Sequence, residues 1–242
     1  MKALIFAAGL GERMRPLTDH TPKPLLAVAG VPLIEWHLQR LAALGIADVV
    51  VNTSWLATQF PEKLGDGSRW NLRLHYLYEG PVPLETGGGM HNALPLLGDA
   101  PFLAVNGDIW SDFDFADLPR EPKGNAHLVM VDNPLQHPRG DFILEADGLL
   151  HDNGEQARLT FAGIGIYRPQ LLQNWQTVIG DADGGKQPGN GHRRRRRACA
   201  EAAVTALQRR PGGKHEQQHH GRRHQSWHLR PTIEPGLPEC PG

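Results

Sequence analysis

The sequence predicts an α/β fold, a mainly parallel sheet flanked by helices and followed by a smaller mixed section with antiparallel pairing. Three observations predict it. Short apolar runs alternate with helical periods through the first part of the chain, as in a parallel sheet covered on both faces. A glycine-rich loop follows the first run directly. Further on, strand-like runs follow one another without helical periods, and Asp147-Gly148 supplies a hairpin turn between two of them.

Each element has its own reason. Residues 2–7 form a short run, apolar after Lys2, that ends in small residues before Gly9, the pattern of a buried first strand. A loop rich in Gly, Arg, Thr and Pro runs to Gly30. Pro32 starts a helix in which Leu33, Ile34, Trp36, Leu38, Leu41 and Leu44 form an apolar stripe, and Gly45 ends it. Val49, Val50 and Val51 make a second buried strand. Residues 55–64 read as a short helix interrupted near Pro61, and residues 72–78 as a strand. A helix over 90–97 is limited by Pro95. Residues 102–105 form another buried strand, ending at Asn106-Gly107-Asp108. In the second section, strands are expected at 126–131, 141–145, 149–151 and 159–167.

In such sheets ligands bind beyond the carboxyl ends of the strands, where both the glycine loop and Asp108 fall. The loop reads Ala7-Ala8-Gly9-Leu10-Gly11-Glu12-Arg13-Met14-Arg15-Pro16-Leu17-Thr18, followed by Pro22-Lys23-Pro24-Leu25-Leu26. Glycines let backbone N–H groups approach phosphate oxygens. Arg13 offers a planar fork to phosphate and Lys23 a compact point charge, and both suit stabilisation of charge at a phosphorus centre. Two other phosphate loops are excluded. Gly-Lys-Ser/Thr is absent, and the dinucleotide fingerprint would need a third glycine where Met14 stands.

Composition divides the chain near residue 180. The body before it carries 13 Lys+Arg against 20 Asp+Glu, and the remainder 12 against 6, which together give the net charge of −1. Mean hydropathy is −0.41, and the polar bias lies in the second part. Residues 1–180 are therefore read as one domain, and 181–242 as a basic, atypical tail. Both cysteines, Cys199 and Cys240, lie in that tail, so the body has neither a disulfide framework nor a thiolate metal site. There is no signal-peptide pattern and no run near the roughly 18 apolar residues that span a membrane, so a soluble, cytoplasmic protein is expected.

With these motifs the chain resembles the sugar-1-phosphate nucleotidyltransferases over residues 1–175. The resemblance rests on Met1-Lys2-Ala3, the run from Arg13 to Thr18, Leu84-Glu85-Thr86-Gly87-Gly88-Gly89 and Thr160-Phe161-Ala162-Gly163-Ile164-Gly165. Within the family the likeness is greatest to short bacterial enzymes that form UDP-N-acetylmuramate from UTP and N-acetylmuramate α-1-phosphate in peptidoglycan recycling. It implies a Rossmann-like nucleotide-binding sheet and a sugar-binding role for the mixed section. It also implies uridylyl transfer to a sugar 1-phosphate with release of pyrophosphate. Gly11, Glu12 and Arg13 would line the triphosphate, with Arg13 the main transition-state cation, while Lys23 contacts phosphate and orients the sugar phosphate. Asp108 would hold the catalytic Mg²⁺. Glu79, Thr86 and Gly87 would read the base, and Asn106, Asp141 and Glu155 would lie on the sugar side. His37 reads as a packing or surface residue of its helix.

After Trp175 the resemblance stops, and the family's Trp-x-Asp-Val-Gly-Thr segment, which supplies a second metal carboxylate, has no counterpart. The tail instead has five consecutive arginines from Arg193 to Arg197, His219-His220, and a short helical period at 198–207. Nucleic-acid binding, a disordered extension and a reading-frame shift near residue 180 are the three readings, and the abrupt change of composition favours the last. Two rival functions stay open. One is a guanylyl- or thymidylyltransferase acting on mannose or glucose 1-phosphate, and the other a catalytically impaired nucleotide-binding protein.

Overall fold

A computed structural model describes residues 1–173 and the backbone of a strand at 204–209. One compact unit spans Met1–Pro211, and a second, Gly212–Gly242, lies outside the described residues. In chain order the unit contains β1 (Ala3–Phe6), the small hairpin β2 (Ala27–Val28) and β3 (Val31–Pro32), α1 (Leu33–Ala43) and β4 (Asp48–Thr53). Then come α2 (Gln59–Leu64), β5 (Arg73–Tyr78), α3 (Glu85–Leu97) and β6 (Phe102–Asn106). The mixed section adds β7 (Ala126–Val131), β8 (Phe142–Leu144), β9 (Leu150–His151), β10 (Arg158–Tyr167), α4 (Gln170–Gln173) and β11 (Val204–Arg209).

The main sheet has the order β11-β7-β10-β6-β1-β4-β5. Every neighbouring pair is parallel except those made by β10, which runs against both β6 and β7. The β8–β9 hairpin hangs from the start of β10. Alternate residues of the central strands serve opposite faces. Ala3, Ile5, Val49, Val51, Leu103 and Val105 pack with Ile34, Leu38 and Leu41 of α1. Leu4, Val50, Phe102 and Ala104 pack with Met90, Ala93 and Leu97 of α3. Burial on both faces is why these strands read as unbroken apolar runs.

Helix α1 ends as its glycine foretells. Gly45 has φ 78°, its N–H donates to Ala42 O at 2.9 Å, and Ile46 N–H donates to Leu41 O at 3.1 Å. That is a Schellman closure. Helix α2 begins only at Gln59, which places Pro61 in the first turn, where a missing N–H costs nothing. Helix α3 corrects the expected span of 90–97. It starts at Glu85 and carries three consecutive glycines, the last of which, Gly89, passes too close to the strand ends for a side chain. A Cβ on Gly89 would lie 2.7 Å from Glu79 Oε1 and 2.8 Å from Asn52 Nδ2. Tertiary contact overrides the low helix propensity of glycine here.

The 198–207 helical period is also corrected. Val204–Arg209 is a strand paired in parallel with β7 from Val204↔Ala126 to Arg209↔Val131, occupying the edge that β7 offers. The arginine run, both cysteines and the tail histidines lie outside the described residues. No helix among the described residues is long and apolar enough to cross a membrane.

Candidate active site

The carboxyl ends of β1, β4, β5 and β6 open onto one edge of the sheet, and the sequence-singled residues of the nucleotide half gather there. After β1 the chain turns at Gly11, whose φ is 66°. A Cβ there would meet Thr18 Cγ2 at 2.9 Å, so glycine is required on both conformational and steric grounds. Thr18, 1 % exposed, donates from Oγ1 to Gly11 O at 2.8 Å, and Trp55 Nε1 donates to Thr18 O at 3.0 Å. The loop is thus closed onto itself and tied to the segment after β4. Its 3-10 turn, Glu12–Met14, leaves Glu12 and Arg13 exposed. Arg13 has no ion pair or hydrogen bond among the described residues, so its guanidinium is available to a ligand.

A second 3-10 turn, Lys23–Leu25, buries Pro24 and Leu25 against α1 and presents Lys23 outward. Lys23 Nζ lies 2.6 Å from Asp108 Oδ2, both side chains about a third exposed. Asp108 reaches that place through Gly107, where a Cβ would stand 2.9 Å from Ile5 Cγ2 and 3.0 Å from Phe6 O. Behind Asp108 the loop is held from α1. His37 Nε2 lies 2.9 Å from Ile109 O, and Arg40 donates to the carbonyls of Ser111 and, at 2.6 Å, Phe113. Arg40 also sits over the Phe115 ring at 5.1 Å, and His37 stacks on the same ring at a centroid distance of 6.3 Å. Burial pushes His37 down to about 4, so the ring is neutral at pH 7, with Nε2 carrying the proton that Ile109 accepts. His37 is therefore a packing residue, and its packing bears on the Asp108 loop.

At the base end, Glu79 is already engaged. Its Oε1 accepts from Asn52 Nδ2 at 2.7 Å and its Oε2 from Leu84 N–H at 2.9 Å. Thr86 and Gly87 lie in the first turn of α3, next to Glu85 with its φ of 62°. They belong to a helix start, whose first N–H groups have no intrahelical partner, and not to the stretch before the helix expected at 90–97. Gly87 has nothing within 4 Å of a would-be Cβ, so it faces open space.

On the other side, Asn106 ends β6 beneath Gly163, whose φ is 79° and whose Cβ would stand 2.7 Å from Asn106 Nδ2. β10 is irregular between Phe161 and Gly165, and Asp141 Oδ2 accepts the Phe161 N–H at 3.0 Å. Asp141 Oδ1 lies 3.3 Å from His137 Nε2. Asp141 therefore supports the strand before it can serve a ligand. Glu155 is exposed in the loop before β10, and no contact ties it to the other site residues among those described. Two features escaped the sequence reading. Asn52, 2 % exposed, is one, although a polar residue ending an apolar strand at the ligand edge was a usable signal. The other is the pair His37 and Arg40, whose three-residue spacing on one helix face becomes meaningful only once the loop lies beside it.

Among the described residues no three His, Cys, Asp or Glu side chains converge as a metal site. Asp108 stands as a single hard carboxylate beside a phosphate-type loop. That suits a cation such as magnesium, which takes one or two carboxylates and completes its shell with phosphate oxygens and water.

Comparison with known proteins bears on the family and the fold. Residues 2–138 match the family model described as nucleotidyl transferase. The N-acetylmuramate alpha-1-phosphate uridylyltransferase of Neisseria meningitidis serogroup B is 51% identical over 181 residues, covering 71% of this chain and 77% of that protein. The protein of the same name from Caulobacter vibrioides is 37% identical over 183 residues, covering 70% and 76%. Among solved structures, HddC from Yersinia pseudotuberculosis superposes with a TM-score of 0.63 at 18% identity, over 86% of this chain and 89% of that one, which shows a shared fold.

Proposed function

Because the chain belongs to the nucleotidyl transferase family, we propose that it transfers the uridylyl group of UTP to N-acetylmuramate α-1-phosphate, releasing pyrophosphate. The observation that carries the chemistry is the meeting of two strand ends, with Lys23 of the glycine loop 2.6 Å from Asp108 and Arg13 of the same loop exposed and unpaired among the described residues. Identity to the Neisseria and Caulobacter proteins supports the choice of base and sugar.

In this reading a phosphate oxygen of the sugar attacks the α-phosphorus in line as the bond to pyrophosphate breaks. That nucleophile is already anionic near neutral pH, so no strong base is needed. Catalysis then rests on positioning and charge neutralisation. Gly11 and Glu12 shape the triphosphate loop, Arg13 meets the developing charge, and Lys23 passes from Asp108 to substrate phosphate. Asp108 would hold Mg²⁺, which when bound would neutralise phosphate charge as a Lewis acid. Glu79 with the helix start at Thr86 and Gly87 receives the base, and Asn106, Asp141 and Glu155 line the sugar side. Residues 1–180 carry the catalytic domain, and the setting is cytoplasmic peptidoglycan recycling.

The test is pyrophosphate release by the purified chain with UTP, Mg²⁺ and N-acetylmuramate α-1-phosphate, against N-acetylglucosamine 1-phosphate, dTTP and GTP as controls. Release confined to UTP and the first sugar supports the proposal. Faster release with GTP or dTTP and mannose or glucose 1-phosphate replaces it with the guanylyl- or thymidylyltransferase reading. Nucleotide binding without release leaves only a nucleotide-binding protein.

A further inference from the structure

Asn52 is a buried amide placed between the two ends of the candidate nucleotide site. It lies near the end of β4, level with Phe6 on one neighbouring strand and Leu77 on the other. Its Oδ1 accepts the N–H of Ala7, the first residue of the glycine loop, at 2.7 Å. Its Nδ2 donates to Glu79 Oε1 at 2.7 Å, and Glu79 Oε2 takes the N–H of Leu84 at 2.9 Å. A backbone N–H requires an acceptor and a carboxylate requires a donor, so the amide has one workable orientation. Gly89 of α3 closes the slot, since a side chain there would collide with both Asn52 Nδ2 and Glu79 Oε1. No other common side chain of this size offers an acceptor and a donor in this geometry. Aspartate would set two carboxylates against each other, and leucine would leave the Ala7 N–H and Glu79 Oε1 unpaired.

We propose that Asn52 is a positioning residue that couples the phosphate end of the site to its base end. Through Ala7 it sets where the glycine loop leaves β1. Through Glu79 it sets both the carboxylate and the backbone leading into the start of α3. This rests on the reading of these two loops as one nucleotide site. It adds that triphosphate and nucleoside binding share a single buried link, outside the residues that touch ligand.

The experiment compares the wild-type chain with Asn52→Leu, Asn52→Ser and Glu79→Ala by calorimetric titration of UTP and, separately, of inorganic tripolyphosphate, which has no base. Melting temperatures are taken alongside. Asn52→Leu is expected to weaken UTP about tenfold or more and tripolyphosphate several-fold, the scale of one lost buried hydrogen bond. Asn52→Ser keeps a hydroxyl and is expected to lose less. Glu79→Ala leaves the bond to Ala7 and should weaken UTP while tripolyphosphate binding stays within about twofold. At saturating UTP, kcat of the Asn52 variants should stay within a few-fold while KM rises, because Asn52 touches no reacting atom. Three outcomes overturn the inference: tripolyphosphate binding unchanged in both Asn52 variants, equal weakening of tripolyphosphate by Glu79→Ala, or losses that only follow the melting temperature. If Asn52→Leu fails to fold, Asn52→Ser decides by the same criteria. A wild-type chain that binds neither ligand removes the nucleotide-site reading and this inference with it. Binding that ignores Asn52 removes the inference alone.

Discussion

The loop between β1 and α1 and the strand β10 with its flanking loops both reach the ligand edge of the sheet, yet they use polar side chains in opposite ways. In the loop, the backbone is held by Thr18, Trp55 and a glycine turn, while Glu12 and Arg13 stay exposed and Arg13 unpaired among the described residues. On the β10 side, Asp141 is spent on the Phe161 N–H and His137, and Asn106 sits beneath the Gly163 backbone. One region holds its shape with buried groups and leaves Glu12 and Arg13 exposed for a ligand. The other draws on the same side chains for shape and for any recognition it performs. Substitutions should therefore separate activity from stability in the first region and confound them in the second.

Arg13→Ala is the sharpest case. It should lower kcat by roughly 10²–10³-fold, as loss of a transition-state donor does. The melting temperature should move by no more than about 2 °C, since the side chain is exposed and unpaired among the described residues. Parallel losses in pyrophosphate release and thermal melts would break the contrast.

His37 tests the support behind Asp108 through pH. Its ring stays neutral in the fold until about pH 4, whereas the unfolded chain takes up that proton near 6.5. The unfolded state therefore binds more protons as pH falls, and stability declines between about 6.5 and 4, by up to roughly 3 kcal/mol. His127, which burial also lowers, acts in the same direction. Urea midpoints at pH 7 and pH 5 should show a smaller decline in His37→Asn than in the wild type. Identical declines would mean that His37 titrates normally.

Asp141→Ala should cost about 1–3 kcal/mol by leaving the Phe161 N–H unpaired at the irregular part of β10. Asp141→Asn keeps an acceptor and should restore most of the melting temperature. If Asp141→Ala melts like the wild type but loses turnover, Asp141 belongs with Arg13, and the division between the regions fails.

The smallest effect compares two glycines of α3. Gly89→Ala must displace Glu79 or Asn52 and should lose about 1 kcal/mol despite its better helix propensity. Gly87→Ala meets nothing and should hold or raise stability by up to about 1 kcal/mol. If its UTP affinity falls at the same time, Gly87 faces the base. Unchanged affinity would remove it from the site.

Much of the fold was legible because burial on both faces writes itself into unbroken apolar runs such as Val49-Val50-Val51 and into the stripe of α1 ending at Gly45. The start of α3 was not, since three consecutive glycines look like a loop until Gly89 is known to lie against Asn52 and Glu79. The strand at Val204–Arg209 was misread because a short helical period carries no information about an open edge elsewhere in the sheet. Among the candidate site residues, Gly11, Arg13 and Lys23 were singled out from spacing within a single loop. Glu79 and Asp141 were recognised as polar groups, but their engagement with Asn52, Leu84 and Phe161 was not visible.

The sequence by itself determined the layered architecture, the phosphate-type loop and the family, because these depend on periodicity and on residue types close together in the chain. Only the tertiary structure decided which polar groups are free and which already have partners. Asn52 bonds to residues 45 and 27 positions away, and His37 and Arg40 reach a loop about 70 residues further on. Hydrogen bonds are short-ranged and directional, so such pairings follow from strand register and helix packing, which no local pattern encodes.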